Sequence, residues 1–141
     1  MANSINERRV ISVIVLNESS VLARVTSLFA ARGYNIASLT VAPIPDSEMS
    51  HITIETNGSA KVMEQITKQL HKLIPVYKVI EHEEMVEKEM VLVKFPITEH
   101  LSDIEAFCSA YNGGIVNVGK EMIIAMVADE PVRIQHFIEA A

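Results

Sequence analysis

Four polar residues, Asn17, Glu18, Ser19 and Ser20, stand between an apolar run that ends at Leu16 and an apolar, helix-spaced stretch that begins at Val21. Asn and Ser suit the interior of a sheet poorly, but they suit the start of a helix, where their oxygens accept hydrogen bonds from unpaired backbone N–H groups. A tight strand-to-helix turn of this kind also points N–H groups and the positive end of a helix dipole outward, an arrangement that can hold a carboxylate. The same four residues also make sense if they only cap the helix and turn the chain.

The other residues with chemical potential read more plainly. His51, His71, His82, His100 and His136 fall in different segments without a His-x-x-x-His pairing. Ordinary surface or edge roles are therefore expected, with no metal site. Cys108 follows Phe107 on an apolar helical face with no charged flanking partner, which predicts a buried, inert thiol. The acidic run Glu81, Glu83, Glu84, Glu87 and Glu89 lacks the turn-forming glycine and alternating ligands of a calcium loop, so it reads as a solvated linker. No nucleophile with an adjacent base is evident, and catalytic residues are expected to be absent.

The elements that must hold the turn follow from hydrophobic period. "RVISVIVL", residues 9–16, is β-branched and apolar on both faces, the pattern of a central strand. Val21, Leu22, Val25, Leu28 and Phe29 recur at helical spacing up to Arg32, and Gly33 follows where a C-cap belongs. "YNIASLTVAP", the turn "PDS" and "EMSHITIET" form a predicted hairpin with Ile52 and Ile54 on one face. Val62, Met63, Ile66, Leu70 and Leu73 mark a second helix ending before Pro75, and "VYKVIEH" supplies a fourth strand. The order is βαββαβ, the ferredoxin-like split βαβ plan.

The charged stretch at 81–89 separates a second unit, and the boundary is placed so that residues 1–84 form one domain and 85–141 another. "MVLVKFPI" reads as a strand. "LSDIEAFCSAYN" reads as a helix with Leu101, Ile104, Phe107 and Cys108 on one side. "GGIVNVGKEMIIAMVA" reads as two strands around a turn, and Pro131 opens a last helix. This βαββα unit lacks the strand that would close it. It is expected to leave a sheet edge open and the apolar face of the last helix, Val132, Ile134, Phe137 and Ile138, short of packing. The class is α+β.

Composition narrows the functions such a plan can host. The chain has 141 residues, 49% of them hydrophobic, enough to bury a core in one domain or two small ones. With 12 Lys and Arg against 18 Asp and Glu, the net charge of −6 and the absence of a dense basic run argue against nucleic acid. One cysteine excludes an internal disulfide, and no segment reaches the roughly 20 apolar residues of a membrane span. The start "MANSINERR" lacks the apolar stretch of a signal peptide, so a cytoplasmic location is expected. A copper chaperone would need Cys-x-x-Cys, and an RNA-recognition motif would need exposed strand aromatics. An acylphosphatase-type enzyme would need an arginine and a glycine-rich loop after the first strand, where "NESSVLAR" has no glycine.

Residues 8–79 resemble an ACT domain, and "RGYNIASLTVAP" with "ITKQLHKLIPVYKV" and "EMVLVKF" closely resembles the small regulatory subunits of acetohydroxyacid synthase, also called acetolactate synthase. The resemblance spans most of the chain. It implies a chain without catalysis or cofactor of its own, which activates a large subunit carrying thiamine diphosphate, magnesium and FAD, and which confers feedback inhibition by valine or a related branched-chain amino acid. The alternative is a free-standing amino-acid sensor of ACT type with no catalytic partner.

The resemblance also implies a homodimer through ACT domains with the effector at the interface. Asn17, Ser19, Ser20, Val21 and Leu22 of one subunit would hold the ligand, and Asn35 and Ile36 of the other would close over it. The helix start would supply donors for the carboxylate, and the Asn17 and Asn35 side-chain carbonyls would accept from the ammonium group. Val21, Leu22 and Ile36 would meet the isopropyl group. Where these relatives usually carry glycine in this turn, the present chain has Ser20, whose Cβ and hydroxyl occupy space that glycine leaves to a ligand.

Overall fold

The computed structural model describes residues 7–97 and 100–141. The polar start "MANSIN", part of the segment that lacks a signal-peptide pattern, lies outside the described residues. The chain divides into two compact units, Met1–Glu84 and Met85–Ala141.

The first unit runs β1 (Arg8–Leu16), α1 (Val21–Ala31), β2 (Ile36–Pro43), β3 (Met49–Asn57), α2 (Ala60–His71) and β4 (Val76–His82). Its sheet has the order β2-β3-β1-β4, with every neighbouring pair antiparallel, so β1 is an inner strand and runs parallel to β2 across β3. Alternation along β1 turns Ile11, Val13 and Val15 toward the helices. There they join Val25 and Phe29 of α1, Ile52 and Ile54 of β3, and Met63, Ile66 and Leu70 of α2 in one core. Each such buried aliphatic or aromatic side chain contributes about 1.5–3 kcal/mol relative to exposure.

α1 ends as Gly33 foretold, and the details explain why β2 starts later than the apolar run. Gly33 takes φ +71°, Tyr34 N–H donates to Phe29 O at 2.9 Å, and Gly33 N–H donates to Ala30 O at 3.2 Å. This is a Schellman closure, completed by an edge contact between the Phe29 and Tyr34 rings 6.4 Å apart. Tyr34 therefore belongs to the cap and not to the strand. α2 stops at His71, short of Leu73, and the turn into β4 is held by Leu73 N–H on Leu70 O and Val76 N–H on Leu73 O, both 3.0 Å.

The second unit runs β5 (Glu89–Pro96), α3 (Leu101–Ser109), β6 (Gly113–Val118), β7 (Met122–Asp129) and α4 (Pro131–Ala140), with antiparallel strand order β5-β7-β6. Ile104, Cys108, Ile123, Ala125, Val127, Ile134 and Phe137 form its core, and Phe107 stacks on Phe137 at 5.0 Å. Leu101, expected on the buried side of α3, is exposed. The helix ends at Ser109, three residues earlier than its apolar pattern suggested. Asn112 adopts φ 59°, and a Cβ at Gly113 would lie 2.5 Å from Met126 O, so the backbone must leave the helix to meet β7. In α4 the expected apolar face splits: Ile134 and Phe137 are buried, while Val132 and Ile138 are exposed.

Asp129 ties this unit together. Its carboxylate, 3% exposed, accepts from Glu130 N–H at 2.8 Å, from Asn112 Nδ2 at 3.1 Å and from Arg133 Nε, with Lys88 Nζ at 3.5 Å. Arg133 in turn donates to Ala110 O at 2.6 Å and lies over the Tyr111 ring. The Arg133 guanidinium and the Glu130 N–H hold the Asp129 carboxyl well below the usual carboxylate range, at about 2.

Candidate functional site

The turn between β1 and α1 leaves its helix start uncapped. Ser20 is the N-cap residue, yet its backbone sits at φ −100°, ψ −6°, in the helical region, and its side chain makes no cap bond. A capping hydroxyl needs an extended N-cap residue to reach back to the first-turn N–H groups, as Ser59 does at α2 with ψ 166°. The expectation that this turn caps its own helix is therefore not met. Val21 N–H donates to Glu18 O at 3.3 Å and Arg24 N–H to Ser20 O at 3.1 Å, while the N–H groups of Leu22 and Ala23 have no acceptor among the described residues. Two orphan donors at the positive end of a helix remain for an anion.

The φ of Ser20 also bears on whether this position needs a glycine. No left-handed conformation is required, so serine is accommodated without backbone strain.

Beside the turn lies a cavity of about 390 Å³ lined by Leu16, Asn17, Glu18, Ser47 and Glu48. Asn17 N–H donates to Glu48 O at 2.8 Å, which docks the turn onto the start of β3. Ser47 stiffens the opposite wall by donating to Ile44 O at 2.9 Å and accepting from Met49 N–H at 3.1 Å. The two carboxylates are suited to an ammonium group, and the helix start to a carboxylate. Glu48 and Ser47 were not among the residues singled out from sequence. Their place appears only with the β1–β3 register, which sets Leu16 against Met49.

The seven candidate residues do not form one cluster within a chain. Asn17, Ser19, Ser20 and Leu22 are exposed on the turn, whereas Val21 is 2% exposed and belongs to the core, so its side chain does not face a ligand there. Ile36 begins β2 and Asn35 immediately precedes it. Because β2 runs parallel to β1, they lie at the opposite end of the sheet, level with Thr56 and Arg9. At roughly 3.3 Å per residue the length of β2 separates the two groups by about 25 Å. Thr56 Oγ1 donates to Asn35 O and anchors that backbone. The side-chain amides of Asn17 and Asn35 have no hydrogen-bond partner among the described residues.

Two histidines expected to lie apart do meet. Ser12 Oγ, on the face of β1 away from the helices, is 2.8 Å from His51 Nε2 and 2.6 Å from His82 Nε2. Ser12 is 3% exposed and no carboxylate bonds either imidazole among the described residues, so the pair satisfies a buried hydroxyl and does not arm a nucleophile. Cys108 is fully buried, and burial pushes its thiol up, as its apolar setting foretold.

Comparison with known proteins decides the family. Residues 11–78 match the model of the AHAS small subunit-like ACT domain, and residues 88–141 match that of the small subunit of acetolactate synthase. The chain belongs to the acetolactate synthase small-subunit family. It is 41% identical over 136 residues to the acetolactate synthase small subunit of Buchnera aphidicola subsp. Baizongia pistaciae, covering 94% of this chain and 86% of that one. Identity to the isozyme 3 small subunit of Escherichia coli is 41% over 134 residues, covering 93% and 82%. The crystal structure of the small subunit from Thermotoga maritima superposes with a TM-score of 0.89 at 32% identity, over 96% of this chain and 86% of that one. The βαββαβ order read from the residue pattern and the ACT-type fold that the resemblance implied thus both hold, in two small α+β units built on antiparallel sheets.

Proposed function

We propose that this small subunit is a regulatory chain without catalysis of its own. It activates a large acetolactate synthase subunit, on which thiamine diphosphate, magnesium and FAD reside, and relays feedback inhibition by valine or a related branched-chain amino acid. Among the described residues no three of His, Cys, Asp and Glu gather.

The observation that carries the effector reading is the division of the candidate residues between the two ends of β2. β2 is an edge strand, mostly exposed, and "IASLTVAP" contains no charge. The other edge, β4, carries Lys78 and Glu81, whereas β2 has a bulge between Ile36 and Ser38 and a proline at its end, Pro43, and leaves the uncharged residues 38–42 between them open to pairing. Antiparallel pairing of two β2 strands about a two-fold axis joins the sheets and carries Asn35 and Ile36 of one protomer to the β1–α1 turn of the other. The orphan N–H groups of Leu22 and Ala23 then take the carboxylate. The amides of Asn17 and the partner's Asn35 take the ammonium group together with Glu18 and Glu48. Leu22 and Ile36 enclose the aliphatic side chain, a role Val21 fills only from within the core.

Regulation follows as a population shift. Valine stabilises one arrangement of the dimer and inhibits the large subunit to the extent that the active complex favours another. The test is to add the chain to the purified large subunit of the same organism and titrate valine while measuring acetolactate formation. Activation that valine reverses is expected. Activation indifferent to valine, leucine and isoleucine removes the effector role, and no activation removes the regulatory one.

A further inference from the structure

A second concavity, a groove of about 680 Å³, runs between α1 and the turn from α2 into β4. Arg24 on α1 and Lys72 on the turn line it, Ser20 and Ser27 add hydroxyls, and Leu28 and Ile74 add apolar surface. Neither cation has a side-chain hydrogen-bond or ion-pair partner among the described residues, and both line the same concavity. No acidic residue lines the groove, although the chain carries a net charge of −6. Ile74 is 93% exposed and contributes nothing to the core. Two unpaired cations beside uncovered apolar surface fit a segment that brings carboxylates and one apolar anchor.

Position strengthens the match. The groove lies toward β4, at the edge opposite β2, so pairing through β2 leaves one open groove on each protomer. Ser20, the last residue of the effector turn, also lines this groove. α1 therefore presents its first turn to the effector and its flank to whatever fills the groove.

We propose that the groove seats an acidic segment of the large catalytic subunit, with carboxylates on Arg24 and Lys72 and an apolar side chain against Leu28 and Ile74. This rests on the regulatory reading above. It adds a physical link by which effector binding at the start of α1 alters the grip on the catalytic subunit along the same helix.

The full chain carrying Arg24→Glu with Lys72→Glu, and separately Arg24→Gln with Lys72→Gln, is titrated into the purified large subunit, and activation of acetolactate formation and calorimetric binding are read together. Charge reversal is expected to raise the half-activating concentration roughly thirtyfold or more and neutralisation by less, with wild-type binding weakening as salt rises. The glutamine pair keeps the test valid if the reversed pair folds poorly. A wild type that binds while both variants bind as tightly overturns the groove alone, whereas a wild type that neither binds nor activates overturns the regulatory reading as well. A photo-crosslinking residue at position 74 is expected to capture an acidic stretch of the large subunit. Capture of a second copy of this chain overturns the assignment.

Discussion

Asn35 allows recognition to be separated from folding. Its carbonyl is held by Thr56 Oγ1 while its amide has no partner among the described residues, so Asn35→Ala removes the proposed ligand group and leaves the fold's own bond in place. Valine affinity measured by calorimetry is expected to fall by roughly 1.5–3 kcal/mol, with activation of the large subunit retained. Unchanged affinity removes position 35 from the site. Asp129 is the opposite case, a residue whose bonds all serve the fold. Its folded carboxyl titrates at about 2, below the unfolded value of about 3.9, so its stabilising effect is full above about pH 4 and is lost as pH falls toward 2. Asp129→Asn is therefore expected to lower the urea midpoint of the second unit at neutral pH, and the two midpoints should converge in acid. A gap that persists at low pH shows that shape, not charge, governs the site. Single residues were legible from sequence where one conformation follows from residue type, as at Gly33 and Pro131. They were not legible where partners come from distant strands. Serine at a helix start reads as a cap because it often is one, but Ser20 has a helical ψ that no residue type dictates, in a turn whose first residue, Asn17, is bonded to Glu48 on a distant strand.

At the scale of elements, strands and helices followed from period because each buries one face in a local core. The alternation at Ile52 and Ile54 and the helical spacing of Met63, Ile66 and Leu70 all reappear as buried surface. Strand order was legible only through the βαββαβ plan. The meeting of His51, Ser12 and His82 needs β1 to lie between β3 and β4, which no local pattern states. β2 carries the next prediction. Thr40 pairs with Thr53 on β3 and is exposed near the middle of the uncharged edge. In a two-fold pair centred near Leu39 and Thr40, the substitution Thr40→Lys puts like charges across the new ladder, which is destabilising, while the monomer's sheet keeps its register. Sedimentation equilibrium is expected to show dimer dissociation weakened in affinity by roughly tenfold or more, with an unchanged circular dichroism spectrum. A dimer as tight as wild type moves the interface away from β2.

At the scale of the whole molecule, each unit encloses a core of its own, and the features proposed to carry regulation fall in the first. The uncapped turn, the β2 edge and the Arg24–Lys72 groove all belong to Met1–Glu84. The second unit is the smaller, with a three-stranded sheet, and it leaves Met90, Leu92, Val132 and Ile138 exposed. With less apolar surface removed from water, it is expected to unfold first in a urea titration followed by tyrosine signals near Tyr111. Residues 1–84 expressed alone retain the core, the edge and the groove. That fragment is expected to sediment as a dimer and to activate the large subunit at a half-activating concentration within about threefold of the full chain, because the pairing edge and charged groove proposed to set the affinity are unaltered. If the fragment folds and dimerises but neither binds nor activates, the contact with the catalytic subunit lies in the second unit. Its exposed Met90 and Leu92 then become the surface to mutate.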